Sequence, residues 1–248
     1  MTFLDIKFAV IMPAYNAEQT IERAIQSFLA QSFSAKHLYI IDDCSTDATS
    51  NILMRYSDFE NISIVRNSSN SGVAFSRNAG LLLVKNESHV TFLDSDDQWL
   101  PNKLQLQALH LHSSDFLSSA YNFIAKENHK VAFSKQTLNK NEFLMKKFRV
   151  CFSSVAFKTS SDVNFNNMGH EDFDFLLQLY DLYGDMIVLP EALVNYFVTE
   201  GSVSSDKIRS AKWHYKILKK HFNRNPFKRI FFMICYCFQG VFFTTRVK

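Results

Sequence analysis

Three carboxylates, Asp94, Asp96 and Asp97, crowd into four consecutive positions directly after the uncharged run Val90-Thr91-Phe92-Leu93. Carboxylates that close repel one another, so the cluster is costly unless a proton or a cation occupies it. A hard divalent ion that keeps several waters and bridges to substrate phosphates is the natural occupant. The uncharged run reads as a buried strand. That places the acids at a strand's carboxyl end, where open α/β sheets hold their ligand crevices. Taken alone, the same pattern also describes an acidic turn capping the next helix, so the surroundings must decide. A second acidic pair, Asp42-Asp43, closes the run Leu38–Ile41. It offers acceptors for a base N–H or ribose hydroxyls, although Asp-Asp before Ser-Thr-Asp is equally a turn and helix cap. A third pair, Glu171-Asp172, opens a helical pattern, where acidic residues are also favoured by the helix dipole alone.

The elements that must position these groups follow from periodicity. Phe8–Met12 is an apolar run stopped by Pro13, and it predicts the first strand. Asn16 with Gln19 resembles a capping box, followed by Ile21, Ala24, Ile25, Phe28 and Leu29 at helical spacing. Leu38–Ile41 and Ile62–Val65 predict two more strands, with a helix between them capped by Asp47. After the polar loop Asn67–Gly72, a helix from about Val73 to Val84 leads into the strand that carries the acidic cluster. Strands alternating with helices across short connections predict a doubly wound, mostly parallel sheet over residues 1–110. Pro101 opens a further helix. Phe116–Ile124, Val131–Phe133, Cys151–Phe157, Ile187–Leu189 and Ala192–Val198 are strand candidates, and Asn139–Phe148 is a short helix. Residues 111–205 therefore read as a mixed α+β extension of the same sheet, built to hold a substrate against the first half. Residues 206–248 form a basic and apolar helical segment.

Composition narrows the field. The 248 residues are 47% hydrophobic, enough for one large α/β domain. A net charge of +3 demands no nucleic acid and gives no sign of disorder. Cys44, Cys151, Cys235 and Cys237 have no C-x-x-C or zinc spacing, which points to a reducing compartment. The first residues carry neither a basic leader nor a long apolar core, so the expected location is the cytoplasm. No G-x-G-x-x-G follows the first strand, where Pro13-Ala14-Tyr15-Asn16 stands instead, and no P-loop occurs. Any nucleotide must be held by side chains and metal in place of a glycine cradle.

Five segments then fall in order: Pro13-Ala14-Tyr15-Asn16, Ile41–Asp47, Asn70-Ser71-Gly72 with Ser76-Arg77-Asn78-Ala79-Gly80, Asp94-Ser95-Asp96-Asp97, and Glu171-Asp172. Together they resemble the family 2 glycosyltransferases of GT-A (Rossmann-like) fold, of the bacterial surface-polysaccharide type, from the first strand to about residue 205. The resemblance implies an enzyme that moves a hexosyl or N-acetylhexosaminyl group from a nucleotide-sugar, most often a UDP-sugar. The acceptor would be a hydroxyl of a glycan or a lipid-linked sugar. It implies Asp43 on the base N3–H, with Asp42 beside it and Pro13, Ala14, Tyr15 and Asn16 around the pocket. Arg77 would sit near the base or diphosphate. Asp96 and Asp97, supported by Asp94, would hold ribose and a Mn2+ or Mg2+ ion. Asp172 would be the base, and one base opposite the leaving group implies inversion at the anomeric carbon.

One segment departs from the family pattern. Where many relatives carry an arginine and a histidine before a serine-rich turn, this chain has Phe197 and Thr199, with Lys207 or Arg209 as downstream substitutes. That departure keeps open a non-catalytic nucleotide-sugar-binding module. A sugar-nucleotidyltransferase is a weaker rival, because it would need a glycine-rich basic loop after the first strand. The tail, basic from Lys212 to Arg229 and then apolar from Ile230 to Phe243, is short of the roughly 20 apolar residues of a bilayer span. It suits a helix lying on anionic lipid at the inner face of the cell membrane, or one packed on the core or in a dimer.

Overall fold

A computed structural model describes residues 5–125, 129–132, 135–198 and 207–246. The first half alternates β1 (Phe8–Ala14), α1 (Ile21–Leu29), β2 (Lys36–Asp42), α2 (Thr49–Met54), β3 (Ile62–Arg66), α3 (Val73–Leu83) and β4 (His89–Phe92). A short β5 (Gln98–Trp99) and α4 (Lys103–Leu111) complete it. The second half contributes β6 (Phe116–Ile124), β7 (His129–Val131), β8 (Thr137–Leu138), α5 (Lys140–Leu144), β9 (Ala156–Lys158), α6 (Glu171–Tyr183) and β10 (Met186–Phe197). Two helices follow, α7 (Lys207–His221) and α8 (Pro226–Arg246).

Among the described residues, the ten strands join one sheet, in the order β3-β2-β1-β4-β9-β6-β10-β5, with β7 on β6 and β8 on β10. The ladders β1–β2, β2–β3, β1–β4 and β6–β10 are parallel. β9 runs antiparallel to both its neighbours, β4 and β6. The chain steps outward from β1 to β3 and then returns to lay β4 on the other side of β1. That reversal is the switch point where such sheets open a crevice.

Successive strand residues point to opposite faces, and β1 shows it. Ala9 and Ile11 join a core with Ala74 of α3 and Phe173, Phe175 and Leu176 of α6. Phe8, Val10 and Met12 join another with Ile21, Ala24, Ile25 and Phe28 of α1 and Leu104 and Ala108 of α4. Every residue of β1 is buried, so its sequence reads as continuous apolar with no alternation.

Three local expectations need correction. The Asn16–Gln19 pair is no capping box: α1 starts at Ile21 behind Thr20. Asn16 instead takes a left-handed turn (φ 48°), and its carboxamide oxygen accepts from the Thr46 amide at 2.8 Å. Cys151–Phe157 is not one strand. Phe152–Ser154 form a 3-10 turn before β9, because the buried Ser153 and Ser154 satisfy groups outside the ladder. The two runs Ile187–Leu189 and Ala192–Val198 belong to the single strand β10, whose register against β6 shifts twice. Val198 falls just past its end, Phe133 and Thr199–Asp206 lie outside the described residues, and α5 stops at Leu144, short of Phe148.

The carboxyl-terminal helices pack one face and expose another. Ile217, Leu218 and Phe232 are buried in the core, and Tyr236 stacks on His214 with ring centroids 4.0 Å apart. Phe227, Ile230, Phe231, Ile234 and Phe238 are exposed, and their spacing puts them on one stripe of α8. Among the described residues, no helix is long and apolar enough to cross a membrane.

Candidate active site

The carboxyl ends of β1, β2 and β4 border a cleft of about 710 Å³, lined by residues 13–20, Asp43, Asp47, Val73, Ser76, Arg77, Asp94, Ser95 and Asp96. That volume suits a small organic ligand or cofactor. Pro13, Ala14, Tyr15 and Asn16 form its wall, as the sequence predicts, and Tyr15 is exposed there.

Asp42 and Asp43 part company, because neighbouring residues at a strand end face opposite ways. Asp42 is turned inward, where it accepts from the Ser45 amide (2.9 Å), Ser50 Oγ (2.8 Å) and Arg66 Nη1 (2.8 Å). Asp43 reaches the cleft. Its carboxylate accepts from Asn67 Nδ2 (2.7 Å), the Ser71 amide (3.0 Å) and the Gly72 amide (2.7 Å). The tight loop that delivers those amides needs Gly72, whose φ is +88°.

Arg77, on α3, ties the site together. Its guanidinium is buried, donates from Nη2 to Asp94 Oδ1 at 2.7 Å, and lies 3.9 Å through Nη1 from Asp172 Oδ1. The Phe152 ring sits 4.6 Å from it. Burial disfavours this charge, but Asp94, Asp172 and Glu171 outweigh it and hold the group above its ordinary pKa. Asp172 enters from the first turn of α6 with its side chain half exposed.

The acidic turn divides in the same way. Asp94 and Asp96 line the cleft, whereas Asp97 is buried beneath it and does not. Burial and the charge of Asp94 push Asp96 up to about 6. Asp97 is raised well above the carboxylate range by burial, and after that by Asp94. Its oxygens accept from Ser153 Oγ (2.5 Å) and the Phe197 amide (3.4 Å). Two acids raised together mark a site that favours an added cation. Among the described residues, no three side-chain donors gather into a complete metal cage. An ion on Asp96 would therefore take its other ligands from water and substrate phosphate, as Mg2+ does.

Two contributors escape sequence reasoning. Ser153 accepts from the Asp94 amide (3.2 Å) as it donates to Asp97, so one hydroxyl sets the shape of the acidic turn. Arg23, from α1, donates from Nη2 to the Asp96 carbonyl at 2.6 Å and stacks 3.7 Å over the Phe197 ring. A cation thus meets Phe197 through space, at the position where the family pattern carries its own. Lys207 and Arg209 are not in the cleft lining, and Arg209 sits over Trp213 instead.

Comparison with known proteins agrees with this geometry. The sequence profile of glycosyl transferase family 2 matches residues 9–177. The chain is 31% identical over 245 residues to the UDP-Glc:alpha-D-GlcNAc-diphosphoundecaprenol beta-1,3-glucosyltransferase WfgD of Escherichia coli, covering 96% of this chain and 94% of that one. It is 27% identical over 215 residues to the Escherichia coli enzyme WfaP, which carries the same activity name, covering 85% of each. S. aureus TarS 1-349 in complex with UDP-GlcNAc superposes with a TM-score of 0.74 at 25% identity, over 87% of this chain and 65% of that one. The profile match, the sheet order and the cleft agree that the chain belongs to glycosyl transferase family 2, with the GT-A fold of a bacterial polysaccharide glycosyltransferase.

Proposed function

We propose that the chain is a metal-dependent, inverting transferase that moves a sugar from a UDP-sugar to a hydroxyl of a lipid-linked glycan acceptor at the inner membrane face. The observation that carries this reading is Arg77, one buried guanidinium shared by a cleft carboxylate and by Asp172. It joins the donor side to a half-exposed carboxylate open to a second substrate. WfgD is named for a UDP-Glc donor and a diphosphoundecaprenol acceptor, and TarS was solved with UDP-GlcNAc. Both support the choice of substrates.

On this reading Asp43 accepts from the uracil N–H, within the wall formed by Pro13, Ala14 and Tyr15. Asp96 would hold Mn2+ or Mg2+, and Asp97 braces the turn from below. When bound, the ion supplies positive charge at the leaving diphosphate. Asp172 accepts the acceptor's proton as the hydroxyl oxygen bonds to the anomeric carbon. The bond from that carbon to the diphosphate oxygen breaks on the opposite side, UDP departs with the electron pair, and configuration inverts. Arg77 ties Asp94 to Asp172 and adds charge next to the leaving group.

From Lys207 onward the chain has no Asp or Glu, and the exposed apolar stripe of α8 lies within that basic segment. Both features support contact with an anionic lipid surface. The Asp172→Asn variant tests the chemistry. It should bind UDP with Mn2+ as the parent does, read by thermal shift, and lose transfer by at least about a hundredfold. Transfer at the parent rate would remove Asp172 from the role of base.

A further inference from the structure

The face of α6 beside Asp172 carries a second group of charges that the donor cleft does not use. Lys146 takes a left-handed turn after α5 (φ 55°) and holds its ammonium 3.9 Å from the centroid of the Phe173 ring. The same ring packs on His214 of α7, at 4.7 Å, and on Phe143, at 5.0 Å. His170, the residue before α6, sets its imidazole 5.8 Å from Trp213 and 6.4 Å from His214. Arg209 lies 5.1 Å over the same Trp213 ring. A side chain at Gly169 would strike that indole at 2.1 Å, so the loop before α6 lies flat against α7. Phe173 and Trp213 thus form an aromatic shelf carrying Lys146, His170 and Arg209.

None of these three lines the donor cleft. Among the described residues, no carboxylate lies within ion-pair distance of Lys146. Burial without such a partner pulls its ammonium down to about 8, with the charge of Asp172 opposing. A half-buried cation with no ion-pair partner in contact is under-compensated, and a bound anion relieves that cost. Behind the shelf, His214 is stacked on Tyr236 of α8, the helix that bears the exposed apolar stripe.

We propose that this shelf binds the diphosphate of a lipid-linked acceptor, with the sugar toward Asp172 and the lipid chain toward α8. This rests on the transferase reading above and adds the site that orients its second substrate. Lys146 supplies charge-assisted hydrogen bonds to phosphate oxygens, and Arg209, over the Trp213 ring, adds positive charge nearby.

The test titrates the full chain with geranyl diphosphate, with geraniol and with inorganic pyrophosphate, each in the presence of saturating UDP and Mn2+. Geranyl diphosphate should bind alongside UDP, and more tightly than either comparison compound. Lys146→Met should weaken it about tenfold, the loss of one charge-assisted bond, and Lys146→Arg should restore it. Displacement of geranyl diphosphate by UDP, or equal affinity in Lys146→Met, would overturn the assignment. Equal affinity for pyrophosphate would overturn the lipid-linked source. UDP binding to the parent, read in the same titrations, tests the donor reading separately.

Discussion

Arg77→Met is the most demanding test of how the site is held together. Methionine keeps helix propensity in α3 and fills much of the space against Phe152, so the change isolates charge. The bond to Asp94, at 2.7 Å with the guanidinium buried, is a charge-assisted one of about 1.5–3 kcal/mol. The pair with Asp172, at 3.9 Å and half exposed, adds no more than about 1 kcal/mol. Removing the cation also leaves Asp94 against Asp96, which burial and then the charge of Asp94 already push up to about 6. The expected loss is about 3 kcal/mol near neutral pH. For a chain of this size that lowers Tm by about 6–12 °C. The sign with pH follows from which group loses its partner. Without Arg77, Asp96 stands further above its unfolded value, so the repulsion in the turn is present at higher pH and relieved as Asp96 protonates. The loss should therefore shrink as pH falls from about 7.5 to about 5. Urea denaturation of parent and variant at both pH values measures it. A loss under about 1 kcal/mol, or one independent of pH, would show that Arg77 acts by packing and not by charge.

Three further outcomes follow from the same contacts. Ser153→Ala removes the hydroxyl that serves both the Asp94 amide and Asp97, and should cost about 2 kcal/mol in denaturant unfolding; a change within about 0.5 kcal/mol would deny it that role. His89 is buried, and burial pushes its pKa down to about 4. Below about 6.5 the unfolded chain takes up a proton that the folded chain refuses, so stability falls by about 3 kcal/mol as pH drops toward 4. His89→Phe should flatten that part of the profile, and parallel profiles would refute it. Phe231→Ser and Ile234→Ser on the α8 stripe should each reduce sedimentation with phosphatidylglycerol vesicles about tenfold. Binding that survives both changes would place the membrane contact elsewhere.

Strands β1, β2 and β4 were legible because burial on both faces demands runs free of charge, as Phe8–Met12 and Val90–Leu93 show. The second half was not. β10 finds its place by pairing with β6 some seventy residues earlier (Ile187 opposite Leu117), and no local window encodes that. Within the site, the difference between Asp42 and Asp43 was available from strand alternation, since one of the two had to face away. Arg23 left no trace in the sequence: on α1 it falls outside the apolar face and reads as a surface cation. Only the approach of Phe197, 174 positions later, gives it a role. The Asn16–Gln19 pattern misled because a side-chain oxygen caps whatever amide lies nearest, and here that amide belongs to Thr46.

β9 gives the sheet a particular order of assembly. Its three residues, Ala156–Lys158, close the flank of β4, yet they leave the ribosome more than sixty residues after it. Until they arrive, the segment bearing the cleft presents one unpaired edge of the buried strand β4 to its surroundings, the kind of edge that recruits other chains. A fragment ending near residue 110 should therefore aggregate during expression, whereas one extended past Lys158 can cover that edge within its own chain. The acidic turn of the donor side is likewise finished by Ser153, from the same late segment. Catalytic competence and protection from aggregation thus arrive with one short stretch of polypeptide.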